Sequence, residues 1–572
     1  MFVNLIAVLL LFSTSAADLD LRRKTLNDLI DEQWEYTLRT SPEFASILGD
    51  KRYNDQASDV SAAARKHDDV QNRAFLRRAT AIGTAAFSDV EKVNHALFVR
   101  NLRDAIEDYE MKEWEIPISQ MGGIHLFAAQ LPAMLSFTTP KDHEDYIKRM
   151  RAFPKQIDDT IAAMRLGMRD KLMAPKFLLE KAGQQAAGLG ALKAEDSPFA
   201  LPLKDLKDEK LRARVLDAIN TAVLPSYQKL AAFIRDEYAP AGRTHVGLWA
   251  VPNGAARYTV RARRETTTNL SPDRIHQIGL SEVARIEGEM LAIAKKLGFD
   301  DLKSFNAAME KKKELRATSG EQILTAYRTY TEQMYAKLPQ LFGRLPIAKM
   351  EVVPVEPFRE KEAASASYEP PAPDGTRPGR VYVNTYDATS RKMIFTESTA
   401  YHEGVPGHHM QIAIAQELPA LPAFRRFGGY NAFSEGWALY SETLGKEVGF
   451  YQDPYIDYGR LNDEMLRAIR LVVDTGLHSK KWTRQQVVDF FHDHSAIDEV
   501  EVQSETDRYI VMPGQALGYK IGSLKIAELR ERARKKLGER FDIRGFHDQV
   551  LGGGSVPIDV LEQRIDAWIA SH

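Results

Sequence analysis

The sequence predicts a mainly α-helical protein with one small β-sheet late in the chain. Between Asp18 and about Leu341, apolar residues recur at three- and four-residue spacing and are interrupted only by short Pro or Gly breaks, the pattern of successive amphipathic helices. Between Ile347 and Tyr386, short runs rich in Val and Tyr flank a turn rich in Pro and Gly, which indicates strands. With 572 residues, 44% of them hydrophobic, the chain can bury a large core.

Net charge and cysteine content exclude several classes of function. Lys and Arg number 77 against 79 Asp and Glu, so no basic excess indicates a nucleic acid or an anionic membrane as partner. The chain has no cysteine, which excludes disulfides, thiolate metal sites, Cys nucleophiles and the acylated cysteine of a bacterial lipoprotein. Any metal ion must therefore be held by His and carboxylate side chains.

Residues 1–17 are predicted to be a secretory signal peptide. An apolar run from Phe2 to Phe12 is followed by Ser15-Ala16-Ala17, which suits cleavage after Ala17. The alternative is a short membrane anchor, because no Lys or Arg precedes the run, but the run is shorter than the roughly 20 apolar residues of a spanning helix. We therefore expect a periplasmic or secreted protein with no stable membrane partner.

Residues 18–345 are predicted to form an N-terminal helical lobe. Its clearest helical segments are Leu21–Ser41, Ser88–Tyr109, Pro140–Met173 and Ser271–Leu297. The last of these begins at a Ser-Pro pair with acidic residues close behind, a typical helix start. Residues 121–125 are predicted to form a loop, for which an ordinary connection is a better explanation than a wall of a cleft.

Residues 346–572 are predicted to form a C-terminal catalytic lobe that begins with the small sheet. Two strands are expected, within Ala348–Phe358 and Arg380–Asp387. A strand beside a metal-binding helix could pair with an extended peptide and hold its carbonyl group at the ion. The alternative is a hairpin that only closes the fold.

The segment YHEGVPGHHMQ, Tyr401–Gln411, carries the first candidate metal ligands. In the usual zinc motif, H-E-x-x-H, the two imidazoles lie one turn apart on one face of a helix. Here Pro406 stands at the i+4 position, so in a straight helix neither His408 nor His409 could share an ion with His402. The Pro-Gly pair predicts a bulge or kink: two extra residues bring His408 into the ligand position, and three bring His409.

Two glutamates after this segment are candidates for a third ligand. Glu435 and Glu442 lie seven residues apart on one face of a predicted helix, and Glu435 follows His402 by 33 residues. Many His-Glu zinc enzymes complete their three ligands with a carboxylate about 25 to 35 residues downstream. We take Glu435 as the third ligand and Glu442 as the reserve; a solvated helical glutamate is the alternative for each.

The remaining candidates lie near the C-terminus. Arg470, Asp474 and His478 are spaced four apart, which predicts a buried ion chain that either supports the metal ligands or serves the fold alone. Tyr509 and Tyr519 lie in and beside a Gly-rich segment, where a hydroxyl could donate to the oxyanion of a tetrahedral intermediate. Packing in the core is the alternative for both tyrosines.

The patterns H-E-x-x-P-G-H-x-x-Q, EGWALY and PGQALGYKIG resemble the bacterial family known as domain of unknown function 885 over nearly the whole mature chain. That family is similar in layout to zinc-dependent, gluzincin-like oligopeptidases and carboxypeptidases, whose helices enclose a deep groove. The resemblance implies a metallopeptidase-like helical fold, with His402, His408 and Glu435 as ligands of Zn²⁺ and Glu403 as general base. His409 falls at a position that the motif leaves open.

The function expected on these grounds is zinc-dependent hydrolysis of peptide or related amide bonds. Glu403 would take a proton from the attacking water, and Tyr519 or Tyr509 would help to hold the oxyanion. The alternative is a non-catalytic peptide-binding protein on a degenerate scaffold, in which the metal serves the structure only. A complete Glu403 favours the enzyme, because a purely structural site needs no base.

Overall fold

The computed structural model describes residues 16–356, 360, 363–373, 375 and 377–572. Nearly all of the predicted signal peptide, residues 1–17, and of the alternative membrane anchor therefore lies outside the described residues. Within the described ranges, no helix is long and apolar enough to cross a membrane.

The part of the chain before the sheet is helical, as predicted. Its helices are α1 (Ala16–Thr40), α2 (Pro42–Ile47), α3 (Ala62–Thr80), α4 (Asp89–Glu110), α5 (Ile124–Met134), α6 (Pro140–Asp170), α7 (Lys176–Gly190), α8 (Glu209–Ala218), α9 (Leu224–Phe233), α10 (Gly254–Thr266), α11 (Pro272–Lys296), α12 (Leu302–Glu310) and α13 (Gly320–Leu341). Several begin where the sequence predicts because Ser88, Thr139 and Ser271 each accept a hydrogen bond from the N–H of the third helical residue.

Two local predictions in this region need correction. Helix α6 ends three residues before the predicted Met173, because Lys171 adopts the left-handed conformation with φ of 58°. The predicted loop at residues 121–125 is shorter than expected, since α5 already begins at Ile124. His125 is therefore helical and buried, and its Nε2 lies 3.1 Å from the side-chain oxygen of Gln185.

The sheet has three strands where the sequence predicts two. They are β1 (Met350–Pro354), β2 (Ala366–Glu369) and β3 (Gly379–Val383), with β3 in the centre, parallel to β1 and antiparallel to β2. Strand β2 was missed because its four residues, ASYE, lie in the Pro-rich connection and show no apolar alternation.

The chain after the sheet is again helical and carries the candidate site. Its helices are α14 (Thr396–Glu403), α15 (His408–Gln416), α16 (Ala423–Arg426), α17 (Asn431–Glu447), α18 (Pro454–His478), α19 (Arg484–His494), α20 (Glu499–Val511), α21 (Leu517–Leu537), α22 (Ile543–Leu551) and α23 (Ile558–Ala570). The prediction of a mainly α-helical class with one small sheet is confirmed.

The hydrophobic cores cross the predicted lobe boundary between residues 345 and 346. One core is confined to residues 118–239. A second joins Leu97 and Met334 to Trp437 and Ile526, and a third packs α11 along α18. The helices that carry the candidate site are thus supported by both parts of the chain.

Candidate metal centre

The first two candidate ligands lie on separate helices, α14 and α15, joined by residues 404–407. The chain breaks here instead of bulging: the N–H of Gly407 donates to the carbonyl of Tyr401 at 3.0 Å. A Cβ on Gly407 would lie 2.0 Å from the carbonyl oxygen of His402, so only glycine fits. The break turns His408 back toward His402, and the two ring centroids are 4.9 Å apart with the planes nearly perpendicular.

Helix α17 brings the third candidate, Glu435, against this break. The next residue, Gly436, lies where α17 crosses α21, and a Cβ there would be 2.5 Å from the Cα of Gly522. Trp437 follows, fully buried, and its indole N–H donates to the carbonyl of Pro406 at 2.8 Å. The two glycines allow a close helix crossing, and the tryptophan ties α17 to the α14–α15 loop.

His402, His408 and Glu435 converge so that one ligand atom from each lies within 4.8 Å of the others. Oε2 of Glu435 is 3.6 Å from Nε2 of His402 and 3.4 Å from Nε2 of His408. In a tetrahedral zinc site with bonds of about 2.0 Å, neighbouring ligand atoms are about 3.3 Å apart. Oε2 is also buried and makes no hydrogen bond to any residue that the structure describes. This donor set fits a zinc ion.

A second carboxylate orients the first imidazole. Nδ1 of His402 lies 2.8 Å from Oε1 of Glu442, so Nδ1–H donates and Nε2 is left for an ion. Glu442 was the reserve ligand; it lies two turns beyond Glu435 on α17 and contacts the opposite nitrogen of the ring. Behind His408, the amide nitrogen of Gln411 lies 2.9 Å from Nδ1 and donates to the carbonyl of Ser434 at 2.8 Å.

The charges of the site favour a cation. Burial opposes the ionisation of Glu435, but the imidazoles of His408 and His402 outweigh it and hold the pKa of this carboxyl well below its usual range. Burial also disfavours protonated His402, yet the carboxylates of Glu435 and Glu442 raise its pKa to about 10. A metal ion that binds here must therefore displace a proton from His402.

His409, the alternative second ligand, faces the sheet. Its Nε2 lies 3.1 Å from the carbonyl of Ala348 and donates to it, so Nδ1 accepts a hydrogen bond from the hydroxyl of Tyr368 on β2 at 2.9 Å. Burial lowers the pKa of His409 to about 4, so the ring is neutral. Both nitrogens are used, one by β2 and one by the chain just before β1, and neither bonds to His402, His408 or Glu435.

The catalytic candidates occupy different places around the ligands. Glu403 is the last residue of α14, is half-buried, and makes no hydrogen bond or ion pair with any described residue. The ring of Tyr519 lies nearly parallel to that of His402, with centroids 6.4 Å apart. The guanidinium carbon of Arg470 lies 4.5 Å from the centroid of the Tyr519 ring. Tyr509 is buried further back, and its hydroxyl contacts Glu505 and accepts from Nε of Arg470 at 2.9 Å. Of the two tyrosines, the structure brings Tyr519 to the ligands.

The predicted ion chain along α18 does not form. Arg470 pairs with Glu505 on α20 at 2.9 Å. Asp474 accepts a hydrogen bond from the hydroxyl of Tyr258 on α10 at 2.7 Å. His478 accepts the N–H of residue 248 and donates to the carbonyl of residue 509. Four-residue spacing did place the three side chains on one face, but each bonds to a different neighbouring element.

Two residues of the site, Trp437 and Gln411, had no role assigned from the sequence. Both stand inside the distinctive patterns EGWALY and H-E-x-x-P-G-H-x-x-Q, which was the available signal. Their partners are backbone carbonyls 31 and 23 residues away, at Pro406 and Ser434. No spacing rule within one helix predicts such contacts.

Comparison with known proteins identifies the family. A family model described as "Bacterial protein of unknown function (DUF885)" matches residues 42–565. This chain belongs to the DUF885 family. No curated protein matches it.

Two solved structures resemble the DUF885 protein over nearly its whole length. The crystal structure of a protein from Colwellia psychrerythraea, described as a "putative lipoprotein", aligns with a TM-score of 0.91 and 29% identity, covering 96% of this chain and 100% of that one. A protein from Shewanella oneidensis, described in the same terms and as of unknown function, aligns with a TM-score of 0.73 and 17% identity, covering 95% and 99%. The second likeness concerns the fold alone.

Proposed function

We propose that this DUF885 protein is an extracytoplasmic zinc-dependent hydrolase that cleaves peptide or related amide bonds. The observation that carries the proposal is the convergence of Nε2 of His402, Nε2 of His408 and Oε2 of Glu435 at separations suited to one tetrahedral ion. Two imidazoles and one carboxylate are the donor set of many catalytic zinc sites, which keep a further position for water or substrate.

In the proposed reaction, the metal ion and the side chains around it would have different roles. His402, His408 and Glu435 would hold Zn²⁺, which when bound polarises a carbonyl group and makes water more acidic. Glu403 directly follows the first ligand in α14 and makes no hydrogen bond or ion pair with any described residue; it would accept a proton from the attacking water and pass it to the leaving amine. Its adjacency to the metal site is the basis for this role.

Tyr519 is the better candidate for holding the oxyanion. Burial raises the pKa of Tyr519, so its hydroxyl stays protonated and can donate a hydrogen bond as negative charge develops on the substrate oxygen. Its ring packs beside His402, whereas the hydroxyl of Tyr509 is occupied by Glu505 and Arg470. Tyr509 would then act only by keeping Arg470 in place.

The sheet supports a peptide as substrate. Strand β2 pairs with β3 on one side, and its other edge pairs with no described strand. Tyr368 on β2 bonds His409, which directly follows His408 in α15, so the strand is tied to the helix that carries a candidate ligand. An extended peptide could add to such an edge through main-chain hydrogen bonds and lie across the site.

A non-catalytic, purely structural metal site is the competing proposal. Structural zinc sites usually close with four protein ligands. The residue best placed in sequence to be a fourth ligand, His409, uses both nitrogens in hydrogen bonds to Tyr368 and to the carbonyl of Ala348. Glu403 remains half-buried and unpaired among the described side chains, which a structural site would not require. These two observations favour catalysis.

Export is proposed from the N-terminal sequence and from the relatives. The apolar run and small residues before Asp18 predict a cleaved signal, and the similar structures carry a lipoprotein description. We therefore propose a periplasmic or secreted location for this chain.

Metal analysis followed by a peptide digest tests the proposed function. Purified full-length protein should contain one zinc per chain, and a peptide library should be cleaved by it. A chelator should stop the cleavage, and added zinc should restore it. A protein that carries zinc but cleaves no peptide or related amide would support the structural alternative, and a protein that takes up no zinc would refute both.

A further inference from the structure

A cavity of about 880 Å³ lies among the N-terminal helices. Residues of α1, α2, α3, α5 and α6 line it, and none of His402, His408 and Glu435 does. Its volume falls within the roughly 300–1,000 Å³ of small-molecule binding sites in proteins. It is therefore large enough for a ligand of its own and separate from the candidate metal centre.

The inner wall of the cavity is apolar. Met150, Phe153 and Phe199 line it and are buried in the core of residues 118–239. Phe127 on α5 lines it too, and remains 42% exposed. Covering an exposed phenyl ring is favourable by about 25 cal/mol per Å² of apolar surface removed from water. The cavity thus suits an apolar body.

The acidic residues of the lining are already satisfied by the protein. Hydrogen bonds reach each carboxylate: Ser58 N–H and Gln156 Nε2 to Glu43, Ser61 N–H to Asp59, and Tyr36 hydroxyl to Asp68. Each of these carboxylates therefore already accepts a hydrogen bond from the protein, so a ligand is not required to supply a donor.

The arginines of the lining are not satisfied in the same way. Arg39 and Arg65 make no hydrogen bond or ion pair through their guanidinium groups with any residue in the described ranges, and Nε of Arg65 is buried. Arg149 is only 5% exposed; its Nε donates to the carbonyl of Gln56 and its Nη2 to Ser46, both neutral acceptors. The cost of a buried cation without a directly bonded anion therefore concerns Arg149 alone. Arg39 is exposed and Arg65 half-buried, so their guanidinium groups are accessible to a carboxylate ligand.

We propose that this cavity binds a small amphipathic anion, an apolar chain that ends in a carboxylate. The chain would lie against Met150, Phe153 and Phe199. The carboxylate would lie at Arg39 and Arg65, since a planar guanidinium binds a carboxylate through two parallel hydrogen bonds.

Calorimetric titration of the full-length protein with octanoate tests the proposal, with octanol as the same chain without the charge. Octanoate should bind saturably at one site per chain, and octanol at least tenfold more weakly. Trp114 lines the cavity, so octanoate should also change tryptophan fluorescence, and Trp114→Phe should remove that change while the heat of binding remains. Absence of saturable octanoate binding, or equal affinity for octanol, would overturn the proposal.

Variants locate the site. The double substitution Arg39→Gln with Arg65→Gln should weaken octanoate binding at least tenfold, whereas Arg77→Gln, an exposed arginine on α3 outside the lining, should leave it unchanged. Ala128→Phe, which adds a ring inside the cavity, should block binding. If that variant does not fold, Ala64→Phe, at a lining residue on α3, replaces it. Unchanged affinity in the double variant or in the folded filled variant would contradict the proposal.

A final control separates this cavity from the metal centre, because a carboxylate could also bind a metal ion directly. His402→Ala should leave octanoate affinity unchanged, with or without a chelator. Loss of octanoate binding in that variant would assign the ligand to the metal centre and overturn the proposal, whatever the outcome for peptide hydrolysis.

Discussion

Glu442 holds Nδ1 of His402 at 2.8 Å, on the side of the imidazole opposite to Glu435. A carboxylate behind a ligating histidine fixes its tautomer and raises its basicity, and the loss of such a partner typically costs about 10- to 100-fold in metal affinity. At the proposed zinc site the two carboxylates on α17 would thus have different roles, Glu435 binding the ion and Glu442 supporting its ligand His402.

Glu442→Gln should weaken zinc binding by about 10- to 100-fold while the protein stays folded. The amide can still accept from Nδ1–H but carries no charge, so it supports the imidazole less. Competition with a metal chelator of known affinity measures the change. Glu447→Gln, on the exposed end of the same helix, is the matched control and should bind zinc normally. Equal affinity in both variants would show that Glu442 does not support the ligand.

The two neighbouring histidines should respond differently to substitution. His408→Ala should lose stoichiometric zinc, because His408 faces Glu435 at 3.4 Å. His409→Ala should keep zinc and lose stability instead, since it removes bonds to Tyr368 and to the carbonyl of Ala348. Zinc content and chemical denaturation are measured on the same preparations of both variants. If His408→Ala retained zinc and His409→Ala lost it, the ligand assignment would be reversed.

Gly436→Ala should destabilise the fold and the site together. The new methyl group would lie 2.5 Å from the Cα of Gly522, where the backbone of α21 cannot easily move, and overpacking costs about 1–3 kcal/mol. Gly288→Ala on α11 is the control, because its Cβ would meet nothing within 4 Å and should stabilise by about 0.5–1 kcal/mol. Urea denaturation measures both changes. A Gly436→Ala protein as stable as the parent would contradict the close crossing.

Asp474 should make stability depend on pH. Burial raises its pKa to about 7, against the opposing hydrogen bonds from Tyr258 and Gly514. The folded protein therefore keeps a proton on Asp474 that the unfolded chain has lost above about pH 4, so this contribution to stability falls as pH rises from 4 to 7. Asp474→Asn cannot ionise. Between pH 5 and 8 it should lose less unfolding free energy than the parent, and an identical loss in both would count against the buried acid.

Several helix starts could be predicted from the sequence because their capping signals are local. Ser88 and Ser271 bond within their own first turn, so the residues that mark the helix start also make the contact. Strand β2 gave no such signal, because its extended conformation depends on hydrogen bonds to β3, a strand later in the sequence. The ion chain along α18 failed for a related reason: spacing identifies a shared face but not what packs against it.

The same limit applies to the candidate site. The sequence indicated His402, His408 and Glu435 as a ligand set through residue type and family pattern, and the structure brings those three together. It predicted a bulge or kink at the Pro-Gly pair, and the chain is interrupted there by a complete break between two helices, which Gly407 allows. Glu435 lies near Nε2 of His402 and Glu442 near Nδ1 because α17 packs against this ring. The spacing of residues within one helix cannot predict how that helix packs against another.

The central claim is that the protein hydrolyses its substrate with Glu403 as a general base beside the proposed metal ion. Replacing it by Gln keeps its size and removes the basic carboxylate, so the fold and the zinc content should survive. On the peptide chosen by the library digest, kcat/KM should fall by about 10²- to 10⁴-fold, the range typical of losing a general base. Zinc must be measured on the same sample. A fully zinc-loaded Glu403→Gln protein with near-normal kcat/KM would contradict the account.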